Sequence, residues 1–292
     1  MTSATLDREL GAQIFFKCEN FQKVGAFKAR GALNTVLSLS EDEAVRGVIS
    51  HSSGNHAAAL AYAAGIRAIP CTVVMPDDAP AVKVTAVRGY GAEVVFCRQS
   101  EREAVCDREM QARGATLVHP FDDPRVVAGQ GTAALELFED VPDLETVVAP
   151  VGGGGLLSGT TLAATSLGTA IRVIGAEPEA VDDAFRSLKA RVLQPQVPNP
   201  TTWADGLLTG LGEIAFGILT EAGTEIVTIT EQALLAAALF HLQQMKLVVE
   251  PSGAAGLAAI RAIAEEVKGR RVGVIISGGN TDFGWLEAAL AG

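Results

Sequence analysis

Clusters of basic residues are absent from this sequence. Its 34 aspartates and glutamates outnumber its 23 lysines and arginines, which gives a formal net charge of -11 at pH 7. Proteins that bind the phosphate backbone of nucleic acids need clustered Lys and Arg side chains that release counterions. The charge balance therefore argues against a nucleic-acid partner.

Cysteines are few, and none stands in a C-x-x-C pair. The four, Cys18, Cys71, Cys97 and Cys106, indicate neither a zinc site nor a disulfide framework. The opening residues MTSATLDREL lack a basic region followed by an apolar one, and no apolar run has the length needed to cross a bilayer. We expect a cytoplasmic protein with no membrane partner.

Apolar runs of strand length alternate with Ala- and Leu-rich stretches of helical length. A chain of 292 residues with 48% hydrophobic residues can bury a core and suggests one or two domains. Strands that are apolar on both faces and alternate with helices predict buried parallel sheets, and their number favours two α/β lobes. The predicted strands are 47–50, 69–75, 92–97, 146–151, 172–177 and 272–277, and the predicted helices include 55–64, 80–88, 126–138 and 231–242. The segment 190–205, with three prolines, is predicted to be a surface excursion.

Four consecutive glycines, Gly152 to Gly155, follow one of the predicted strands. A Gly-rich turn between a strand and a helix exposes backbone N–H groups, and the helix dipole adds positive potential. The segment GGGGLLSGTT has no G-K-[ST] ending and no clean G-x-G-x-x-G pattern, so a nucleotide or dinucleotide site is not indicated. We interpret it as a cradle for a small phosphate monoester. A tight turn with close packing is the alternative.

Two more stretches carry signals that are weak individually. They are KCENFQKVGAFKARGALN at 17–34, where Lys28 can be a surface lysine, and SHSSGNHAAALAYAAG at 50–65, where the serines can cap a helix. The segments HPFDDP, AGQGT, MKLVVEPSGAAG and SGGN follow in the rest of the chain. Together with the glycine loop, they give a chain that resembles the fold-type II pyridoxal-phosphate enzymes, specifically the threonine and serine dehydratase group that contains serine racemase. The resemblance extends from about Thr2 to residue 282.

The resemblance implies a two-lobed α/β fold of the tryptophan synthase β type, each lobe an open, mostly parallel sheet flanked by helices. Residues 1–46 and 120–292 would form the large cofactor-binding domain, and residues 47–119 the small substrate-loop domain. A homodimer is also implied. Relatives usually carry an additional N-terminal segment, which makes the dimer interface an open question, and the end of the chain at Gly292 leads us to expect no C-terminal regulatory domain.

Pyridoxal 5'-phosphate is the implied cofactor. Lys28 would bind it covalently and then act as the base on the substrate's α-proton, because burial favours the neutral amine. The glycines would hold its phosphate, Asn55 its pyridine hydroxyl, and Ser277 would face its pyridine nitrogen. The full implied cofactor set is Phe27 and Gly206 at the ring faces, Lys28, Asn55, Gly152, Gly153, Gly154, Gly155, Glu250 and Ser277.

The loop from Ser52 to His56 would clamp the substrate carboxylate with its N–H groups and a helix N-terminus. The implied substrate-binding residues are Ser52, Ser53, Gly54, Asn55, His56 and Arg102. Ser53 would also return a proton on the face opposite Lys28, which permits racemisation, although it can equally cap the following helix. Arg102 would suit a substrate with a second carboxylate, such as 3-hydroxyaspartate.

Because Ser277 offers a neutral hydroxyl where a carboxylate would stabilise a pyridinium, elimination at Cβ is favoured. The implied activity is that of a threonine or serine ammonia-lyase, which converts a β-hydroxy amino acid to a 2-oxo acid and ammonia. The alternatives are a serine racemase, a 3-hydroxyaspartate dehydratase or a catalytically silent cofactor-binding homologue. A β-replacement synthase is disfavoured, because SSGNH has the dehydratase form.

A divalent cation is a further expectation. In GAEPEAVDDAF at 175–185, Glu177 and Asp183 can supply hard oxygen ligands together with a backbone carbonyl near Val181. The resemblance implies Mg²⁺, Mn²⁺ or Ca²⁺ at this position. A solvated acidic loop is the alternative.

Overall fold

The computed structural model describes residues 1–52, 54–168 and 170–291. Its strands are β1 (Gln13–Cys18), β2 (Val48–His51), β3 (Cys71–Pro76), β4 (Glu93–Cys97), β5 (Thr116–Leu117), β6 (Thr146–Pro150), β7 (Arg172–Pro178), β8 (Glu225–Ile229) and β9 (Arg271–Ile276). Its α-helices are α1 (Ala4–Leu10), α2 (Lys28–Leu37), α3 (Glu41–Arg46), α4 (Asn55–Arg67), α5 (Ala81–Gly89), α6 (Arg102–Arg113), α7 (Pro124–Asp140), α8 (Gly155–Ser166), α9 (Asp183–Ala190), α10 (Glu213–Ala222), α11 (Glu231–Phe240), α12 (Pro251–Ala262), α13 (Ala264–Val267) and α14 (Leu286–Ala291). None of these helices is long and apolar enough to cross a membrane.

The chain folds into two compact units, and the first contains Met1–Phe27 and Gln130–Gly292. Its five-stranded sheet has the order β1-β9-β6-β7-β8, and every pairing is parallel. All residues of the central strand β6 are buried, as expected for a parallel sheet covered by helices on both faces. The first ten residues of α12 are also buried, and this helix packs on the sheet.

The second unit is Lys28–Gly129, and its four-stranded parallel sheet has the order β4-β3-β2-β5. The unit is larger than the predicted segment 47–119. It includes α2 because Arg67, the last residue of α4, donates hydrogen bonds to the carbonyls of Val36 and Leu39, each at 2.7 Å. It includes the start of α7 because Gly129 packs so closely on α2 that a Cβ would lie 2.6 Å from Gly31 Cα. The assignment of cofactor and substrate roles to the two domains stays a prediction.

The predicted α/β class with parallel sheets flanked by helices is confirmed. Each of the six predicted strands is present, with ends displaced by at most two residues, and no helix or strand lies between Ala190 and Asp205. The strands that the pattern left out are β1, β5 and β8. β8 is half-exposed over most of its length and β5 contains two residues, so neither has a long apolar run.

Candidate active site

The turn from β6 to α8 contains the four glycines. Gly154, at the N-cap of α8, has a φ of +86°, a left-handed conformation that glycine adopts without strain. A Cβ there would collide with Ala215 Cβ and lie 2.8 Å from Leu211 Cδ1, and a Cβ on Gly152 would lie 3.0 Å from Leu207 Cα. Close packing therefore explains these two glycines. The alternative to a phosphate cradle is thus partly correct, since turn geometry and packing both require bare backbone.

The N-terminus of α8 nevertheless lacks hydrogen-bond acceptors of its own. The first N–H groups of any helix have no acceptor within the helix, and no side chain of the described residues caps α8. Gly155, Leu156 and Leu157 are buried, and buried N–H groups require a partner. The positive end of the helix dipole lies at the same place. A small anion such as a phosphate monoester fits this backbone.

A second group of predicted residues lies together in the first unit. Glu250, 4% exposed, immediately precedes α12 and donates its N–H to the carbonyl of Gly278 at 3.1 Å. A Cβ on Gly278 would lie 2.6 Å from Glu250 Oε1, so the carboxylate touches this backbone. The neighbouring Ser277 is 4% exposed. Gly206 belongs to the same group, because a Cβ there would lie 3.9 Å from Glu250 Oε1.

Ser252 is a residue of this group that the sequence did not single out. It is 1% exposed, and its Oγ accepts the N–H of Gly206 at 2.9 Å. It stands two positions after Glu250 in the segment EPSGAAG, where its small polar side chain at a buried helix start is the available signal. Phe27, the last residue of the first unit before the chain enters the second, donates its N–H to the Ser277 carbonyl at 3.0 Å.

In the second unit, Lys28 begins α2 and donates a hydrogen bond from Nζ to the Pro120 carbonyl at 2.7 Å. The turn that carries Pro120 is held by His119, whose Nδ1 accepts the N–H groups of Asp122 at 2.8 Å and Phe121 at 3.4 Å. Because Nδ1 is an acceptor, the His119 ring is neutral. Burial lowers the pKa of His119, and positive charge on His51 and Lys28 lowers it further.

The predicted carboxylate loop joins β2 to α4. The N–H of Ser52 donates to the carbonyl of Val74 at 3.2 Å, and Ser52 Oγ accepts the N–H of Gly54 at 3.3 Å. Gly54 is the N-cap of α4, whose first residue is Asn55, and none of the described side chains caps this helix. Helix N-termini of this kind bind anions. Ser53 lies outside the described residues.

His56, in the first turn of α4, is held neutral. Its side chain is buried, and Nε2 lies 3.1 Å from the Val118 carbonyl. Burial lowers the pKa of His56 to about 3, and the nearby positive charge of Lys28 acts in the same direction. Within the described part of the chain, its Nδ1 is buried without a hydrogen-bond partner, so this atom is left as an acceptor.

Arg102 is the first residue of α6. Its Nε is buried and has no hydrogen-bond partner among the described residues. The positive charge of Arg102 contributes to the lowered pKa of His51, after burial itself. The structure therefore places Arg102 near the end of β2, in the same unit as Lys28 and the predicted carboxylate loop. Its Nε–H group has no acceptor among the described residues.

Glu177 and Asp183 lie at the end of β7 and the start of α9, and each is 1% exposed. The two oxygens of Glu177 accept the N–H groups of Ala184 and Phe185, both at 2.8 Å. Asp183 Oδ2 accepts the N–H of Leu211 at 2.8 Å. These carboxylates are therefore buried and not part of a solvated acidic loop, so that alternative is wrong. Burial raises the pKa of Glu177 to about 8. No cluster of three or more His, Cys, Asp or Glu side chains suited to a metal ion is found in the described ranges.

Comparisons with known proteins agree on one family. Residues 1–278 match the family model described as pyridoxal-phosphate dependent enzyme. The chain is 45% identical over 297 residues to serine racemase from Dictyostelium discoideum, covering 99% of this chain and 91% of the relative. It is 47% identical over 284 residues to beta-hydroxyaspartate dehydratase from Paracoccus denitrificans, covering 97% and 90%. The structure of threonine deaminase isoform 2 from Solanum lycopersicum superimposes with a TM-score of 0.95 at 31% identity, covering 100% of this chain and 86% of that one.

Proposed function

Since this chain belongs to the family of pyridoxal-phosphate dependent enzymes, we propose that it is an ammonia-lyase acting on β-hydroxy amino acids. The reaction removes the α-proton and the β-hydroxyl of the substrate and ends with a 2-oxo acid and ammonia. When bound, pyridoxal phosphate draws electrons from the substrate's Cα and makes its proton acidic.

The buried, uncapped N-terminus of α8 is the observation that carries the proposal. Gly152 to Gly155 would hold the cofactor phosphate with backbone N–H groups, which no described side chain caps. Phosphate binding by backbone also explains why no lysine follows the glycines, because the N–H groups and helix dipole supply the positive potential.

Lys28 would bind the cofactor and remove the α-proton. A base must reach the reacting atom in its neutral form, and the Pro120 carbonyl, 2.7 Å from Nζ, gives the amine a defined position. His56 supports this role because it stays neutral down to a pH of about 3. A neutral His56 adds no positive charge beside Lys28, and its Nδ1, which has no partner among the described residues, can accept a hydrogen bond.

The loop from Ser52 to Asn55 would bind the substrate carboxylate at the N-terminus of α4, which none of the described side chains caps. Fixing the carboxylate orients the Cα–H bond toward the base. Asn55, Phe27 and Gly206 would contact the cofactor ring as the family resemblance implies, and the hydroxyl of Ser277 would face the ring nitrogen. Its neutrality favours elimination over reactions that need a long-lived carbanion.

A 3-hydroxyaspartate substrate is a second candidate with its own support. The buried Nε of Arg102 has no described partner, and a second substrate carboxylate would satisfy it with a charge-assisted hydrogen bond. Relatives at 47% and 45% identity are named beta-hydroxyaspartate dehydratase and L-threo-3-hydroxyaspartate ammonia-lyase. Racemisation is a third candidate, because relatives at 45% identity are named serine racemase.

We further propose that Glu177, Asp183 and the Val181 carbonyl hold Mg²⁺, Mn²⁺ or Ca²⁺. Two carboxylates that are each 1% exposed offer the hard oxygen ligands that these ions prefer. A chelator should then lower the melting temperature, and added metal should restore it, because an ion that binds only the folded state stabilises it. A melting temperature that changes with neither chelator nor added metal would contradict this site. A cytoplasmic homodimer is likewise proposed, and sedimentation equilibrium would measure its mass.

The activity is tested with serine, threonine and 3-hydroxyaspartate in all configurations, by release of ammonia and 2-oxo acid. Lys28→Ala should abolish both turnover and the visible absorption of the covalently bound cofactor, while the exposed Lys268→Ala serves as the matched control. A Lys28→Ala protein with full activity would contradict the proposal. A parent protein that binds the cofactor but releases no ammonia or 2-oxo acid from any substrate would identify a silent homologue or a racemase, which chiral analysis separates.

A further inference from the structure

The four residues before Lys28 begin with a strained turn. The N–H of Gly25 donates to the carbonyl of Gln22 at 2.8 Å, which closes a four-residue turn with Val24 at its third position. Val24 has φ 57° and ψ 13°. This left-handed position normally holds Gly or Asn, and a β-branched residue there is an outlier.

Asn280 lies against this turn. Its Nδ2 donates to the Val24 carbonyl at 2.7 Å, and the N–H of Gly279 donates to the Gly25 carbonyl at 3.0 Å. A Cβ on Gly25 would lie 2.5 Å from Asn280 Oδ1. The side chain of Asn280 therefore occupies the space that the missing Cβ leaves, and its amide is a direct hydrogen-bond partner of the strained residue.

The same backbone pairing continues to Phe27, where the first segment of this unit ends. Ala26 forms an antiparallel bridge with Gly278, and Phe27 donates its N–H to the Ser277 carbonyl at 3.0 Å. Residues 24–27 are thus paired one by one, in antiparallel order, with residues 280–277. The next residue along the chain is Lys28. The SGGN segment therefore fixes the whole approach of the backbone to this lysine.

We propose that Asn280 is a positioning residue for Lys28, through its hydrogen bond to the strained Val24 turn. Strained backbone persists only where the surroundings hold it in place. Without the Nδ2 donor, Val24 can relax toward an ordinary conformation, and the three residues that follow lose their register with 277–279. The backbone that leads into Lys28 would then lose its fixed conformation. This inference depends on the proposed role of Lys28.

A double-mutant cycle on cofactor-free protein tests it. Apoprotein is mixed with pyridoxal phosphate, and the rate of covalent capture is followed by visible absorption. Asn280→Ala should slow capture roughly tenfold, the size expected for one hydrogen bond. In the Val24→Gly background, where the turn is unstrained, Asn280→Ala should slow capture by less than about twofold, since glycine adopts this conformation freely. Asn199→Ala, at an exposed loop position, is the matched control and should leave capture unchanged.

Binding of 4'-deoxypyridoxine phosphate, which cannot react with an amine, separates positioning of Lys28 from damage to the phosphate cradle. Asn280→Ala should bind this analogue as tightly as the parent protein. Equal slowing of capture in both backgrounds, no slowing at all, or parallel loss of analogue binding would each overturn the proposal. If Asn280→Ala alone does not fold, folding and rapid capture by the double variant would support it, and failure of both variants to fold would overturn it. Absence of Lys28-dependent capture in the parent would contradict the proposed function instead.

Discussion

His241 should make the protein sensitive to mild acid. The side chain is fully buried, and neither ring nitrogen has a hydrogen-bond partner among the described residues. Burial lowers the pKa of His241 to about 3, and the positive charge of Arg261 acts in the same direction. Arg261 lies over the Phe240 ring and pairs with Glu9, so its charge is held in place near the histidine.

The direction of the pH effect on stability follows from which state, folded or unfolded, binds the proton. An unfolded chain protonates His241 near pH 6.5, whereas the folded protein does not until about pH 3. The unfolded state therefore gains stability as the pH falls below 6.5, and the effect is complete near pH 3. At pH 5 the difference of about 1.5 pH units corresponds to about 2 kcal/mol of lost folding free energy.

The assay compares urea unfolding of the parent protein, His241→Leu and His241→Gln at pH 7.5 and pH 5. His241→Leu removes a buried polar group without partners, so it should be more stable at both pH values. Its advantage over the parent should widen by about 2 kcal/mol at pH 5. His241→Gln, which is polar but does not titrate, should show the same widening. A constant difference between parent and variants at the two pH values would refute the reasoning.

Three further predictions concern the candidate site. Ser53→Ala should remove racemisation and elimination of D-serine but spare elimination of L-serine, as measured by chiral chromatography. Under the proposed function, only proton transfer on the face opposite Lys28 needs this hydroxyl, and equal loss of both activities would instead assign Ser53 to carboxylate binding. Arg102→Leu should lower kcat/KM for 3-hydroxyaspartate by about a hundredfold, through loss of a charge-assisted hydrogen bond, and should change kcat/KM for serine by less than about threefold. Equal losses of kcat/KM for both substrates would rule out recognition of a second carboxylate. His119→Phe keeps a ring but loses the acceptor for the Asp122 N–H, so kcat should fall about tenfold, and His119→Asn, whose Oδ1 can accept the same bond, should restore it; failure of Asn to restore kcat would remove His119 from the positioning of Pro120.

The sequence predicted the sheets well because their central strands are buried on both faces. β3 and β6 are buried at every residue, which gives continuous apolar runs that a reader can find without a structure. The boundary of the second unit was less predictable. It depends on a close approach of Gly129 to α2 and on hydrogen bonds from Arg67, and neither contact leaves a periodic pattern in the chain.

Residues at the candidate site also differ in how clearly the sequence alone indicates them. The glycine loop was visible because four glycines in a row are costly in the unfolded chain and call for an explanation. Val24 gave no such signal, since valine is a residue that argues against a left-handed turn. Likewise, Asn280 and His119 act on backbone groups distant in the chain or inside a turn, and one sequence without its contacts cannot reveal which backbone group a polar side chain binds.

The two helix starts proposed to bind anions differ from three other helix starts in the protein. Ser3, Ser40 and Thr230 cap α1, α3 and α11, and each side chain accepts a backbone N–H of its own helix. In contrast, α4 and α8 start after a parallel strand with glycine at the N-cap, and no side chain in the described part of the chain caps either of them. A serine in either place would supply an acceptor from the protein itself and compete with a bound anion. A glycine cap supplies no side-chain acceptor, and Gly212 leaves the start of α10 without one in the same way. Under the proposed function, the glycine caps of α8 and α4 leave their first N–H groups to the cofactor phosphate and the substrate carboxylate, respectively.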